Sequence, residues 1–158
     1  MLRGLRSVVV AAVWAAGMVS LAGMSSPAFA QQGVGVRGGV SVDPDQFYVG
    51  GHFESDELIE RLHFRPNLEV GFGDDVTTVG VNIEAIYKIP LRNHRDTAFY
   101  GGGGPAITIY DPEGSADSDT QAGLNLLAGL EFGRFFFEVK GGLFDAPDLK
   151  VGIGYTFR

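Results

Sequence analysis

The chain has 158 residues, with 12 Lys or Arg against 19 Asp or Glu, a formal charge of −7 and no cysteine. That balance lacks the basic footprint a nucleic-acid binder needs, and the missing cysteines exclude a disulfide framework. The length suits one domain.

The first segment reads as an export signal. Arg3 and Arg6 precede an apolar run from Val8 to Met24, and "SSPAFA" then sets Ala28 and Ala30 in A-x-A spacing. This order predicts cleavage after Ala30. The expected division is a signal peptide over 1–30 and one mature domain over 31–158. Without Arg3 and Arg6 the mature part holds 10 basic and 19 acidic residues, a formal charge of −9. The alternative is an uncleaved anchor, for which the run is barely long enough. No second apolar run approaches the roughly 20 residues of a spanning helix. The membrane-spanning form open to the mature chain is therefore a closed β-barrel.

From Gln31 onward the pattern alternates with period two, the strand signal. "VGVRGGVSV" puts Val34, Val36, Val40 and Val42 on one face and Arg37 on the other. "FYVGGHFE" opposes Phe47, Val49 and Phe53 to Tyr48, His52 and Glu54. "LHFRPNLEVGF" opposes Leu62, Phe64, Leu68, Val70 and Phe72 to His63, Arg65, Asn67 and Glu69. "VGVNIEAIYKI" opposes Val79, Val81, Ile83, Ala85, Tyr87 and Ile89 to Gly80, Asn82, Glu84 and Lys88. "AFYGGGGPAITIY" is less regular, with Phe99, Ile107 and Ile109 on one face. "GLNLLAGLEF", "FFFEVKGGL" and the closing "DLKVGIGYTFR" complete a set of eight. Turn-rich pieces separate them. "SDELIERL" is read as a turn with some helical character.

Eight alternating strands allow a soluble lipocalin-type barrel with an apolar interior or a membrane barrel with an apolar exterior. Three features favour the second. Most segments reach the roughly 9–11 residues a spanning strand needs. The polar face carries charges of nearly balanced sign, which suits pairing in a confined lumen. Aromatics also gather at one level. If the chain starts on the periplasmic side, Phe53, Phe64, Tyr87, Phe99, Phe132, Phe135, Tyr155 and Phe157 fall at periplasmic strand ends. Such a level forms an interfacial girdle. The opposite connections hold Asp43, Asp45, Asp74, Asp75, Asp111, Glu113, Asp117, Asp119, Asp145 and Asp148, without Lys or Arg. They read either as ordinary solvated turns or as an acidic rim that collects divalent cations.

The candidate lumen network is Arg37, Arg65, Glu69, Glu84, Glu138 and Lys140. Arg65 and Glu84, at similar depth, and Glu138 and Lys140, on one side of their strand, are expected to neutralise one another and plug the lumen. Gly35, Gly39, Gly71, Gly80 and Gly102 are expected to leave room for water. A rim enzyme would need a nucleophile, a base and an orienting group. Ser55, His52, His63 and Glu54 are the candidates, with lumen hydrogen bonding as the plainer reading. His94 falls in a turn. No metal spacing, phosphate loop or cofactor motif appears, so no cofactor is expected.

These residues resemble the small eight-stranded outer-membrane β-barrels, the group of the OmpA transmembrane domain and the OmpX-like and opacity-type proteins. The resemblance covers the whole mature chain. Its sharpest part is the last strand, where Lys150, Gly152, Tyr155 and Phe157 match the spacing polar-x-Gly-x-x-apolar-x-aromatic. In that family the spacing is an assembly signal, and here Arg158 follows the terminal aromatic. The resemblance implies an all-β, antiparallel up-and-down barrel in a Gram-negative outer membrane. It also implies lipid and lipopolysaccharide as surroundings, the barrel-assembly machinery as a transient partner, and a monomer. The expected role is structural or surface-interacting, without enzymatic activity. A narrow porin-like channel is the alternative, ahead of a rim-active lipid-modifying enzyme or a lipocalin-like ligand binder.

Overall fold

The structure, a computed structural model, describes residues 33–92, 96–112, 117–147 and 149–157. Ala28, Ala30, His94, Glu113, Asp148 and Arg158 lie outside the described residues. The strands are β1 (Gly33–Val42), β2 (Gln46–Glu54), β3 (Leu62–Phe72), β4 (Val76–Pro90), β5 (Thr97–Pro112), β6 (Asp119–Phe132), β7 (Phe135–Phe144) and β8 (Leu149–Phe157). Each pairs antiparallel with the next, and β8 pairs with β1 to close the barrel. Closure leaves no open edge.

Following the register once around the barrel, residue k of β1 meets residue k + 10 of the same strand. That shear tilts the strands, so residues distant in sequence share a level inside. The strand ends at Gly33 and Phe157, with the turns after β2, β4 and β6, define the lower end. The turns after β1, β3, β5 and β7 define the upper end.

The alternation predicts the facing in all eight strands. Outward positions carry Val, Leu, Ile, Phe, Tyr, Ala, Gly, Pro and Thr, with Asp111 at the tip of β5 and no Lys, Arg, His or Glu. Inside lie the charges, and Arg65, Glu54, Glu69 and Glu84 are among the largest fully buried side chains. This is the reverse of a soluble barrel, whose core is apolar.

Two sequence expectations change. β4, β5 and β6 run further than their alternation. Asp119–Ala122 continue the β6 ladder against Ile107–Tyr110 because backbone bonds do not require an apolar face. Residues 55–61 form no helix. Leu58 N–H donates to Leu62 O at 2.8 Å and Leu62 N–H to Ile59 O at 2.6 Å, with Arg61 at φ 67°. Pro66 sits inside β3, where a missing N–H would break a ladder. The β2–β3 pairing accordingly stops at His52↔Asn67, just above it. Below, the Ser55 hydroxyl accepts the Phe64 N–H at 2.9 Å and Ser55 N–H donates to Phe64 O at 2.9 Å.

Candidate functional site: the charged lumen

Inward parity on seven different strands brings the charges together. Five cations (Arg37, Arg65, Lys88, Lys140, Lys150) and five anions (Glu54, Glu69, Glu84, Glu131, Glu138) join into one connected group. The lumen charge is thus balanced. At the lower end Lys88 Nζ lies 2.7 Å from Glu54 and 2.6 Å from Glu131. Arg65 sits above, forked onto Glu54 and 3.4 Å from Glu138. Arg37 donates to Glu138 and reaches Glu69 at 3.5 Å and Glu84 at 3.7 Å. Lys140 meets Glu84, and Lys150 closes the upper end on Glu69 at 2.8 Å.

The six residues singled out in the sequence therefore meet, and their contacts run mostly between strands distant in sequence. Arg65 and Glu84 are register neighbours, but Arg65 turns to Glu54, Glu131 and Glu138. Glu84 is held by Arg37 and Lys140. Glu138 and Lys140 approach only to 3.8 Å, since Arg37 takes the near carboxylate oxygen. Glu54, Lys88, Glu131 and Lys150 complete the group, and their inward parity was the signal for adding them.

Neutral groups fill the rest. Asn125 Nδ2 donates to Asn82 Oδ1 at 2.7 Å, Asn82 Nδ2 to Asn67 Oδ1 at 2.7 Å, and Asn67 Nδ2 to Glu84 at 2.8 Å. This ladder crosses from β6 through β4 to β3 and ends on a carboxylate. Ile86, Tyr100, Leu127 and Phe136 form an apolar cluster within the lumen. The Arg65 guanidinium lies 4.7 Å from the Tyr100 ring centre and 4.9 Å from that of Phe136, close enough for cation–π attraction. Tyr100 OH donates to Glu138 at 3.0 Å.

These rings occupy space expected to hold water. A Cβ on Gly35 would strike the His52 ring, and one on Gly71 would strike Gln46 and Thr78. At Gly39 and Gly102 it would strike the backbone of the neighbouring strand. Of the five glycines named for water, Gly80 alone would take a Cβ without a clash, with the nearest atoms 3.9 Å away in ordinary contact. Gly129 faces the Tyr100 ring and Gly154 that of Phe136, so aromatic side chains lie across glycine positions in the wall.

The two mouths differ. At the upper end the turn after β7 folds inward, burying Ala146 and Pro147. It lies against Gly123 and Gly142, where a Cβ would collide with its backbone. Phe144, at φ 64°, swings out to 82% exposure, which lets the next residues turn inward. The lower mouth keeps a cavity of about 340 Å³, with Glu54, Lys88 and Glu131 in its lining together with Arg61 and His63.

The possible catalytic group does not assemble. His52 Nε2 is 3.0 Å from Thr156 Oγ1, and His63 Nδ1 is 3.1 Å from the Ser55 carbonyl, not its hydroxyl. Ser55 Oγ donates to Asp56 O at 2.7 Å and accepts from Phe64, while Glu54 is engaged by Arg65 and Lys88. Ser55 Oγ is thus tied into the backbone rather than to a histidine, whereas nucleophilic catalysis needs an adjacent base to activate the hydroxyl. Among the described residues, no group of three or more His, Cys, Asp or Glu could hold a metal ion.

The last strand divides by parity. Lys150 and Gly152 face the lumen. Tyr155 and Phe157 face outward, and Tyr155 meets Phe135 at 4.9 Å and Phe157 at 5.0 Å between ring centres, both edge-on.

No family model and no curated protein matches the chain. Solved structures do. The N-terminal β-barrel domain of Pseudomonas aeruginosa OprF superposes with a TM-score of 0.60 at 16% identity, over 80% of this chain and 96% of that one. Neisserial surface protein A superposes with a TM-score of 0.56 at 13% identity, with the same coverage. With the closed antiparallel eight-strand register, the apolar exterior and the charged interior, these likenesses make the chain a barrel of the small outer-membrane β-barrel fold.

Proposed function

We propose that the mature chain is an integral outer-membrane barrel with a structural or surface-interacting role and a lumen closed to solutes. The observation that carries this reading is the division of faces. An outer wall without Lys, Arg, His or Glu would be unstable in water and is matched to hydrocarbon. The balanced network inside replaces the water that nine buried charges and the part-buried Lys150 would otherwise need. The lower aromatic level, with Phe99, Phe132, Phe135 and Phe157 about half exposed or more, supports a membrane interface there. The two superposed barrels support the location by their fold. Lipopolysaccharide at the upper end and the barrel-assembly machinery acting on Lys150, Gly152, Tyr155 and Phe157 belong to the same proposal.

A narrow conductance is the second reading, and the 340 Å³ cavity at the lower mouth favours it. Planar-bilayer recording separates the two. A closed lumen predicts no discrete conductance steps at any applied voltage, and reproducible unitary steps would replace it with the channel.

A further inference from the structure

We propose that the β6–β7 hairpin and the end of β8 form a binding site for the phosphate of an anionic phospholipid, with Arg134 and Tyr155 as its ligands. The proposal rests on the membrane reading and names a lipid contact within it. The hairpin reads Phe132–Gly133–Arg134–Phe135. Phe132 and Phe135 are register partners, both outward and both exposed. Gly133 takes φ 61°, which makes the two-residue turn accessible. The turn is tied on both sides. Gly133 N–H donates to Asp96 O at 2.6 Å, and Thr156 N–H donates to Arg134 O at 2.8 Å. Arg134 is thereby fixed at the foot of an aromatic patch, below Phe135 and Tyr155. Its Nη1 donates to the Tyr155 hydroxyl at 3.3 Å.

A guanidinium has five N–H donors in a planar fork that fits phosphate, and the phenol keeps an O–H of its own. Two donor groups converge at an exposed point, and the surface beside them is apolar and aromatic. A soluble anion would use the donors and waste the apolar wall. A phospholipid uses both, with its acyl chains along Phe132, Phe135 and Phe157 and its headgroup at Arg134. Charge separates the ends further. The lower turns mix Arg61, Arg92 and Arg134 with Asp56, Glu57, Glu60 and Asp96, while the described residues of the upper turns include acidic side chains and no Lys or Arg. Anionic lipid is therefore repelled less at the lower end, the periplasmic leaflet in the orientation proposed above, and Arg134 supplies the local attraction there.

The test is native mass spectrometry of the full mature chain, folded in detergent and offered equal amounts of phosphatidylglycerol and phosphatidylcholine. The wild type should retain phosphatidylglycerol preferentially. Arg134→Gln should lower that retention about fivefold while leaving phosphatidylcholine unchanged. Tyr155→Phe should lower it less, Arg134→Lys should restore part of it, and Arg92→Gln should have little effect. Each variant is first checked for a heat-dependent gel shift. A wild type without that shift counts against the membrane reading. A shifted wild type without lipid preference, or an Arg134→Gln variant that retains phosphatidylglycerol as the wild type does, overturns the site alone. Displacement by millimolar inorganic phosphate would make it a free-anion site and overturn the lipid assignment.

Discussion

Val81 and Asn82 are neighbours on β4 that meet different surroundings. Val81 points outward among apolar neighbours and is about half exposed. Asn82 points inward, donates to Asn67 and accepts from Asn125. The outer face is specified by what it lacks, since any uncharged apolar residue satisfies it. The inner face is specified by named partners, because each buried polar group must find its complement. One strand thus carries two different tolerances to substitution, interleaved residue by residue.

The comparison can be broken most severely at Glu138. This carboxylate meets Arg37, Arg65 and Tyr100, so Glu138→Ala leaves two guanidinium groups short of an anion. The expected loss is about 3–5 kcal/mol in urea unfolding of the lipid-reconstituted barrel. Next is Val81→Arg, which places a charge in hydrocarbon and should cost about 2–4 kcal/mol in the same assay. Asn82→Leu keeps the strand and cuts the ladder, leaving Asn67 Oδ1 and Asn125 Nδ2 without this partner. It should cost about 1–3 kcal/mol. Val151→Leu exchanges one lipid-facing apolar side chain for another and should stay within about 0.5 kcal/mol of the wild type. If Asn82→Leu is as mild as Val151→Leu, the inner face does not depend on its partners and the comparison fails.

The facing of every strand was legible in the sequence because the exterior obeys a single rule at every second residue. The partners inside were not. Arg37 and Glu138 are 101 positions apart, and their meeting depends on shear and strand tilt, which no local pattern records. Ile86, Leu127 and Phe136 on the polar parity gave no sign that they would cluster under Arg65. The inward fold of Ala146 and Pro147 depends on missing side chains at Gly142, on the strand before the turn, and at Gly123 on β6, which the turn does not connect. Ser55 looked like a nucleophile because its role, accepting the Phe64 N–H beside Pro66, appears only once the ladder is traced.

The central claim is that this exterior faces lipid, and the direct measurement is gel mobility of the unboiled protein in outer-membrane fractions. The account predicts that the protein is recovered in that fraction and that boiling changes its mobility, as a closed barrel unfolds. Recovery in the soluble periplasmic fraction with identical mobility before and after boiling would contradict it.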